Sequence, residues 1–531
     1  MKNIKQSAIV IAVAVLSLTS CGEKFLTVTP PTSMMYVDYY RTEAHITNAL
    51  VAAYAPLLWE SYSWGYALST FLSDVMGDDL YPGGPHADDN INIQRLEDFS
   101  ISALVQPDGW WTIAYSGINR CQHVIENIDK VEEISDALRA RIRAEALFLR
   151  SYYYYQLWRF WGNIPYYEMN LVSPYSAPQL PADKVYDACV ATLDGIISSR
   201  ALPETVPTAE LGRATHAAAQ MLKARFVMLQ MDSGRFGEVL DDMLDIIAKN
   251  HHTLKTTSIL PDKMPFEELF MREGEWSSET IFDINHTDFG SLTNWNSPPA
   301  AGGSVFPRFI GPRELSSNTE FEAGWGFATI PVATYNMYDD ADTRKDGGIL
   351  NFDKWAAAYA TRWSVPAPTR GYYPYYQVTG YYLKKYVCRV GYNLNIASGV
   401  GSGDMGFSNN IRIFRYAETL LNAAELLVRT GGSTSAAQEY FNMVRDRAFA
   451  STAHRIDATI DNIMLERRKE FVGEGLRYWD LVRTGQAATV LPGWHSNATA
   501  NGIPRWLWPI PDAEMNNTAG TPHPLVQNPS Y

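Results

Sequence analysis

From Asp136 to Trp161, apolar residues recur at Leu138, Ile142, Ala146, Leu149, Tyr153, Leu157 and Phe160, always three or four positions apart. That spacing places them on one face of a helix, which must be buried against something else. Arg139, Arg143 and Arg150 fall off the stripe, so they are expected to meet solvent or an ion-pair partner. Gly162 and Pro165 follow as a stop signal.

The same period returns along the chain. It runs from Asp183 through Val185, Cys189, Leu193, Ile196 and Ile197, then through Ala217, Met221, Ala224 and Met228 up to Asp232-Ser233-Gly234. A further stripe begins at Phe236 and continues through Leu240, Leu244 and Ile247. Short breaks between such segments imply antiparallel helix pairs. No clean 34-residue repeat is visible, so periodicity by itself supports stacked helices and nothing sharper. Helical patterns resume at Ile411, and are expected over Ala436 to Arg447 and in one long run from Asp461 to Val482 that stops near Gly485.

Residues 250–410 read differently. Pro298-Pro299, Gly302-Gly303, Gly347-Gly348 and the glycines from Gly399 to Gly406 break the pattern, and Thr280 to Ile284 and Tyr381 to Val387 look strand-like. Long irregular stretches inside a helical protein are usually functional loops, and their aromatic content argues against disorder.

The N-terminus is a targeting segment. Lys2 and Lys5 precede an apolar run from Ala8 to Leu16, which is too short for the roughly 20 residues a membrane span needs. Leu18-Thr19-Ser20-Cys21 then resembles the lipobox of bacterial lipoproteins, in which the cysteine is acylated and becomes the first residue. Two or three acyl chains, at about 0.8 kcal/mol per buried methylene, anchor a protein stably. Pro30 and Pro31 belong to a short polar tether. The expected organisation is a signal peptide over 1–20, an acylated Cys21 with its tether over 21–40, and one body over 41–531. Within that body the scaffold lies mainly in 41–249 and 411–485, and the loop-rich ligand region mainly in 60–110 and 250–410.

Removing residues 1–20 leaves 42 basic against 58 acidic residues, a net charge of −16. A body this acidic is a poor partner for nucleic acid, whose binding rests on Lys and Arg neutralising phosphates. Cys121, Cys189 and Cys388 are widely spaced with no CxxC pair, so neither a disulfide framework nor a zinc site is expected. Asp74, Asp78, Asp79, Asp88 and Asp89 lack EF-hand spacing and read as a solvated acidic loop rather than a calcium site. His251-His252 reads as an exposed turn. Nothing calls for a cofactor or a metal.

Several blocks carry a resemblance. They are Arg143 to Arg150 with Tyr152 to Tyr155 and Trp161-Gly162-Asn163-Ile164-Pro165, and Arg415-Tyr416-Ala417-Glu418 with Asn422 and Glu425. Glu466 to Phe471 with Glu474-Gly475 and Arg477 to Arg483 follows, and then Trp508-Pro509-Ile510-Pro511 with Gln527 to Tyr531. In this order they resemble the SusD/RagB family of outer-membrane nutrient-binding lipoproteins of Bacteroidetes. The departure is Phe471-Val472-Gly473, where the family is usually more apolar and alanine-rich. The resemblance implies a mainly α fold, an α-helical superhelix with tetratricopeptide-like helix pairs, long irregular loops and a few short strands. It implies a lid over a TonB-dependent (SusC-like) transporter at the cell surface, lipid-anchored in the outer membrane, which captures an oligosaccharide and is not an enzyme. In the third block, Glu466, Arg467, Arg468 and Glu470 are spaced to pair along one helix, and a buried network around Arg477 and Asp480 is possible.

Sugars present flat CH faces and a ring of hydroxyls, so a site needs exposed aromatic platforms and a few placed polar groups. With 31 Tyr and 15 Trp the supply is ample. Tyr153 and Trp158 sit on helical stripes and belong to the core. Aromatics in Gly/Pro/Asn-rich sequence are the candidates: Trp64, Tyr66 and Tyr81; Trp295 and Trp325; and Trp363 with Tyr372 to Tyr376. Two rival readings stand beside this one. A surface glycoside hydrolase needs a carboxylate pair roughly 5 to 9.5 Å apart, which no motif nominates. A helical-repeat lipoprotein scaffold needs no small ligand.

Overall fold

Helices follow the 3.6-residue stripes at both ends of the chain, and a small sheet joins the loop-rich segments between them. The computed structural model describes residues 40–59, 68–287, 302–371, 375–393 and 403–531. In chain order the longer helices are α1 (Glu43–Tyr54), α2 (Gly109–Asn127), α3 (Asp136–Trp161), α4 (Ala182–Ser199), α5 (His216–Gln230) and α6 (Phe236–Lys249). After the loop-rich stretch come α7 (Phe352–Trp363), α8 (Tyr416–Thr430), α9 (Thr434–Phe449), α10 (Ile460–Phe471), α11 (Arg477–Arg483) and α12 (Asp512–Thr518). Neighbours in sequence pack as pairs from α1 to α6. Helix α6 then packs on α8, and α8 on α9 and α10, which makes the superhelix of tetratricopeptide-like pairs.

Helix α3 is the axis of this array. The Ser135 hydroxyl accepts from Leu138 N (3.2 Å) at its start, and Gly162 ends it with φ +70°. The expected stripe holds only for the first half, because from Phe148 to Trp161 every residue is buried. Arg150 is therefore not at a solvent face. It is buried and held by Gln122 (3.0 Å) and Glu168 (3.2 Å). Helices α2 and α3 pack tightly at Gly117, where a Cβ would lie 2.3 Å from the Tyr153 ring. Gly117→Ala should thus overpack the interface and cost about 1–3 kcal/mol. Gly195→Ala on α4, with nothing within 4 Å of the new methyl, should stabilise by up to about 1 kcal/mol. Urea denaturation of the two variants separates these signs.

The strands are β1 (Tyr81–Gly83), β2 (Thr280–Ile284), β3 (Phe327–Thr329), β4 (Ile349–Asn351), β5 (Tyr381–Leu383) and β6 (Ile411–Arg415), with two further two-stranded ribbons. One antiparallel sheet has the order β1-β3-β5-β4, with Tyr81 opposite Thr329, Thr329 opposite Tyr382 and Ile349 opposite Leu383. The other pairs β2 with β6, Thr280 opposite Arg415 and Ile284 opposite Ile411, so the two ends of the loop-rich stretch are stapled together.

Two helical boundaries differ from expectation. Ile411 to Arg415 is strand β6 and helix α8 begins only at Tyr416, because the alternating β-branched run finds β2 as a pairing partner. The run from Asp461 to Val482 is two helices, α10 and α11. Gly473 and Gly475 adopt φ +80° and +75° between them, a left-handed backbone that ends a helix.

That break positions a buried ionic network. Glu470 on α10 accepts from Arg344 (3.0 Å), Arg415 (3.0 Å) and Arg447. Glu474 accepts from Arg415 (2.7 Å) and Lys385 (2.6 Å), and Glu279 from Arg447 (3.1 Å). The third block therefore does not pair along its own helix. Glu466 reaches Arg344 and Arg445, Arg467 reaches Asp480, and Arg468 reaches Asp78 and Asp79. The network around Asp480 exists, held by Arg467 and Arg483, whereas Arg477 pairs elsewhere, with Asp78 (2.7 Å).

Burial by itself would raise the Glu470 carboxyl, but the guanidinium groups of Arg447, Arg415 and Arg344 hold it at about 2. Arg467 and Arg483 likewise hold Asp480 at about 2 against its burial. Folded values below the ordinary ones give stability that is complete above about pH 4.5 and lost as pH falls towards about 2. Asp283 acts oppositely. Burial pushes it up to about 7, so its contribution to stability falls as pH rises from about 4 to about 7. Urea midpoints measured across pH should peak near pH 5 and fall steeply below about pH 4.

Candidate functional site

The first sheet brings two of the sequence candidates to one edge. Tyr81 opens β1, and Trp325 lies two residues before β3, at the other end of the β1·β3 pair. The β1 residue that would face Trp325 lies four positions beyond Tyr81, so the two platforms are about 13 Å apart along the ladder. Both rings are half-buried.

Local sequence explains how Trp325 is held. Gly311 and Gly324 cross so closely that a Cβ on Gly324 would lie 2.2 Å from Gly311 Cα. Trp325 N donates to Arg308 O (2.8 Å) and Gly326 N to Gly311 O (2.9 Å). The Arg313 guanidinium donates to Trp325 O (3.1 Å). The Trp325 ring stands edge-on to Phe309 (6.3 Å, 75°), which itself stacks on Phe327 (4.2 Å, 8°).

Tyr375 to Gln377 lie across the turn after β1. Tyr376 N donates to Gly84 O (3.1 Å), and Gly83 N donates to the Gln377 side chain (3.1 Å). Gln377 in turn donates to Glu97 (2.8 Å). The Arg313 guanidinium sits 5.2 Å above the Tyr375 ring, and the Tyr375 hydroxyl donates to Glu314 (2.5 Å). Burial raises the Glu97 carboxyl and the hydrogen bond from Gln377 opposes it. The edge thus carries three tyrosines and one tryptophan beside a guanidinium, an amide and two carboxyls. Sequence reasoning did not single out Arg313, Glu314, Gln377 or Glu97, because polar residues in loops carry no period or motif.

Trp64, Tyr66 and Trp295 lie outside the described residues, as do Cys21 and Tyr372. The described residues flanking their segments do meet. A Cβ on Gly302 would lie 2.9 Å from Leu58, and one on Gly303 would lie 2.2 Å from Met405 O. Phe71 packs on Phe306 (5.9 Å) and Phe309 (5.0 Å), next to Trp325.

Trp363 stands apart. It ends helix α7 rather than lying in a loop, half of it is exposed, and its ring neighbours are Tyr359 (6.4 Å) and Arg362 (5.2 Å). The acidic cluster differs from expectation at Asp74, Asp78 and Asp79, while Asp88 is exposed as expected. Asp74 and Asp79 are fully buried, and Asp78 and Asp79 accept from Arg477 and Arg468. These carboxylates fasten the segment before β1 to α10 and α11 instead of facing solvent. His252 is half-buried, and burial lowers its imidazole. Cys121, Cys189 and Cys388 are free and buried.

This architecture recurs in known proteins. Residues 326–531 match the model of the SusD family, and residues 24–228 match a model described as starch-binding associating with outer membrane. A solved surface glycan-binding protein A from Bacteroides thetaiotaomicron, in complex with laminarihexaose, is 37% identical over 92% of this chain and 99% of its own, with a TM-score of 0.79. The chain belongs to the SusD/RagB family. A laminarin-binding SusD-like protein is 26% identical over 93% of this chain and all of its own, with a TM-score of 0.77. SusD-like protein P2 of Formosa agariphila is 24% identical over 99% of this chain and 100% of its own. In this SusD family member, the first three of the sequence blocks that carry the resemblance lie on helices α3, α8, α10 and α11 and the end of strand β6, which build the scaffold rather than the aromatic edge.

Proposed function

We propose that this SusD family member is a cell-surface glycan-binding protein that captures a laminarin-type oligosaccharide and delivers it to a TonB-dependent outer-membrane transporter. The observation carrying the ligand class is the 37% identity, over nearly the full length of both chains, to a protein solved with laminarihexaose. Separated aromatic platforms with interleaved hydrogen-bonding groups suit a chain of neutral sugar rings. The platforms are Tyr81 and Trp325, with Tyr375 and Tyr376 between the flanking loops. Anchoring is assigned to acyl chains on Cys21, after loss of residues 1–20, with 21–40 as the tether. Among the described residues no helix is long and apolar enough to cross a membrane.

The role is binding without turnover. Glu97 and Glu314, the carboxyls at the edge, are occupied by Gln377 and Tyr375. Calorimetric titration of the purified chain with laminarihexaose tests the reading, with reducing-end analysis of the same sample. Saturable heat without new reducing ends supports capture. New reducing ends would turn the assignment to a glycoside hydrolase, and silence with a broad glycan panel would leave a protein-binding scaffold.

A further inference from the structure

A separate cavity of about 370 Å³ opens among α2, the segment 165–177 and α12, built from none of the residues of the Tyr81–Trp325 edge. Its size falls at the low end of the roughly 300–1,000 Å³ of small-molecule sites. Helix α2 supplies Trp111 and Tyr115, whose rings are 5.0 Å apart at 56°. Tyr167 faces Tyr115 at 6.3 Å and 16°, and the Tyr115 hydroxyl is tied to Pro165 O (2.8 Å), which fixes the ring.

The mouth is formed by Tyr175, 72% exposed. Its backbone has φ +57°, a left-handed conformation that a bulky residue rarely adopts. Tyr175 N donates to Val172 O (2.7 Å), closing the turn that presents the ring. An aromatic side chain held outward at such a site, with a cavity behind it, is poorly explained by packing.

The polar complement is also specific. The Ser176 hydroxyl is buried and has no hydrogen-bond partner among the described residues. Glu514 of α12 lines the cavity, and its carboxyl makes no hydrogen bond to another described side chain. Burial raises the Glu514 carboxyl, and the nearby Asp108 carboxylate adds a smaller push in the same direction. No Lys or Arg lines the cavity. The Glu514 carboxyl is thus placed to accept from the hydroxyls of a ligand, and the local negative charge disfavours an anionic one.

We propose that this cavity is a second carbohydrate site, which takes one or two rings of a neutral glycan, stacked on Tyr167 and Tyr175 and hydrogen-bonded to Glu514. It would let the protein hold a chain end while the longer Tyr81–Trp325 edge holds the interior of a chain, or a second molecule. The ligand class rests on the glycan-binding reading above, but the site does not share its residues.

The test uses the purified chain carrying Trp325→Ala, which weakens the long edge, and laminaribiose as probe in saturation-transfer NMR. Asn119→Trp, at an exposed position of α2 on the cavity wall, fills the cavity without touching the core, and Tyr175→Ala removes the mouth. Laminaribiose binding should persist in Trp325→Ala and weaken at least about tenfold when either cavity change is added, a loss of roughly 1.4 kcal/mol. Laminarihexaose titration of Asn119→Trp alone should still show the long-edge affinity. Unchanged laminaribiose binding in both double variants, or none in Trp325→Ala, overturns the second site. Silence of the wild-type chain towards laminarihexaose, with laminaribiose still bound by Trp325→Ala, counts against the long edge only; silence towards both sugars counts against both sites.

Discussion

Glu470→Ala should destabilise the fold by about 3–5 kcal/mol, the cost of removing one partner from a buried charge network. The side chain is wholly buried and its two oxygens serve three arginines from three places: Arg344 in the loop-rich half, Arg415 on β6 and Arg447 on α9. Removing the carboxylate takes one anionic partner from each of those three guanidinium groups in a site closed to water. The Lys385 ammonium, which donates to Glu470 O and Glu474, is a fourth buried cation beside them. Glu470→Gln should lose less, because the amide oxygen still accepts one guanidinium bond. The exposed pair Arg41–Glu132 (3.6 Å) is the control, and Glu132→Ala should change stability by no more than about 1 kcal/mol. Urea denaturation followed by circular dichroism reads all three. Equal effects of Glu470→Ala and Glu132→Ala would mean that the network is not what joins the two halves.

The second large effect is expected in binding. Trp325→Ala should weaken laminarihexaose about thirtyfold, corresponding to about 2 kcal/mol for a truncated aromatic hot spot. Tyr81→Ala should do the same. The two platforms are about 13 Å apart, beyond the range in which changes usually couple, so the double variant should lose about a thousandfold. Trp363→Ala should stay within about twofold, since its neighbours are Tyr359 and Arg362 and not the aromatic edge. Calorimetry on the four variants discriminates cleanly. A large loss at Trp363 with none at Trp325 would move the site to the α7 face.

Much of the helical scaffold was legible without coordinates, for a physical reason. A helix that buries one face must repeat apolar residues every three to four positions, and the stripes of α3, α4, α5 and α6 do so, with boundaries within a few residues of those read from the chain. Thr280 to Ile284 was equally plain, being β-branched and bounded by turn residues. Where the pattern misled, a partner distant in sequence had intervened. Ile411 to Arg415 became a strand because β2, about 130 residues earlier, offered a ladder. Helix α7, within the loop-rich stretch, was not anticipated at all.

The site was less legible. Aromatic residues in Gly- and Pro-rich sequence could be named as a class, but exposure is a property of what packs above a ring. Tyr81 and Trp325 are brought to the two ends of one strand pair, and Trp363 is not, because β1 pairs with β3 across some 240 residues. Arg313 and Gln377 carry no local signal, and neither does the cavity between α2 and α12. The buried Asp74 and Asp79 look in sequence like any solvated acidic loop, since burial of a carboxylate depends on arginines brought from α10 and α11.

The sequence by itself determined that this chain is a stacked-helix protein with a lipobox-like leader and a SusD/RagB pattern, because periodicity and short motifs are local. Only the tertiary structure decided which charges are buried, which strands close the loop-rich half and which aromatics share an edge. Each of these depends on contacts between residues far apart in the chain, and no local pattern encodes them.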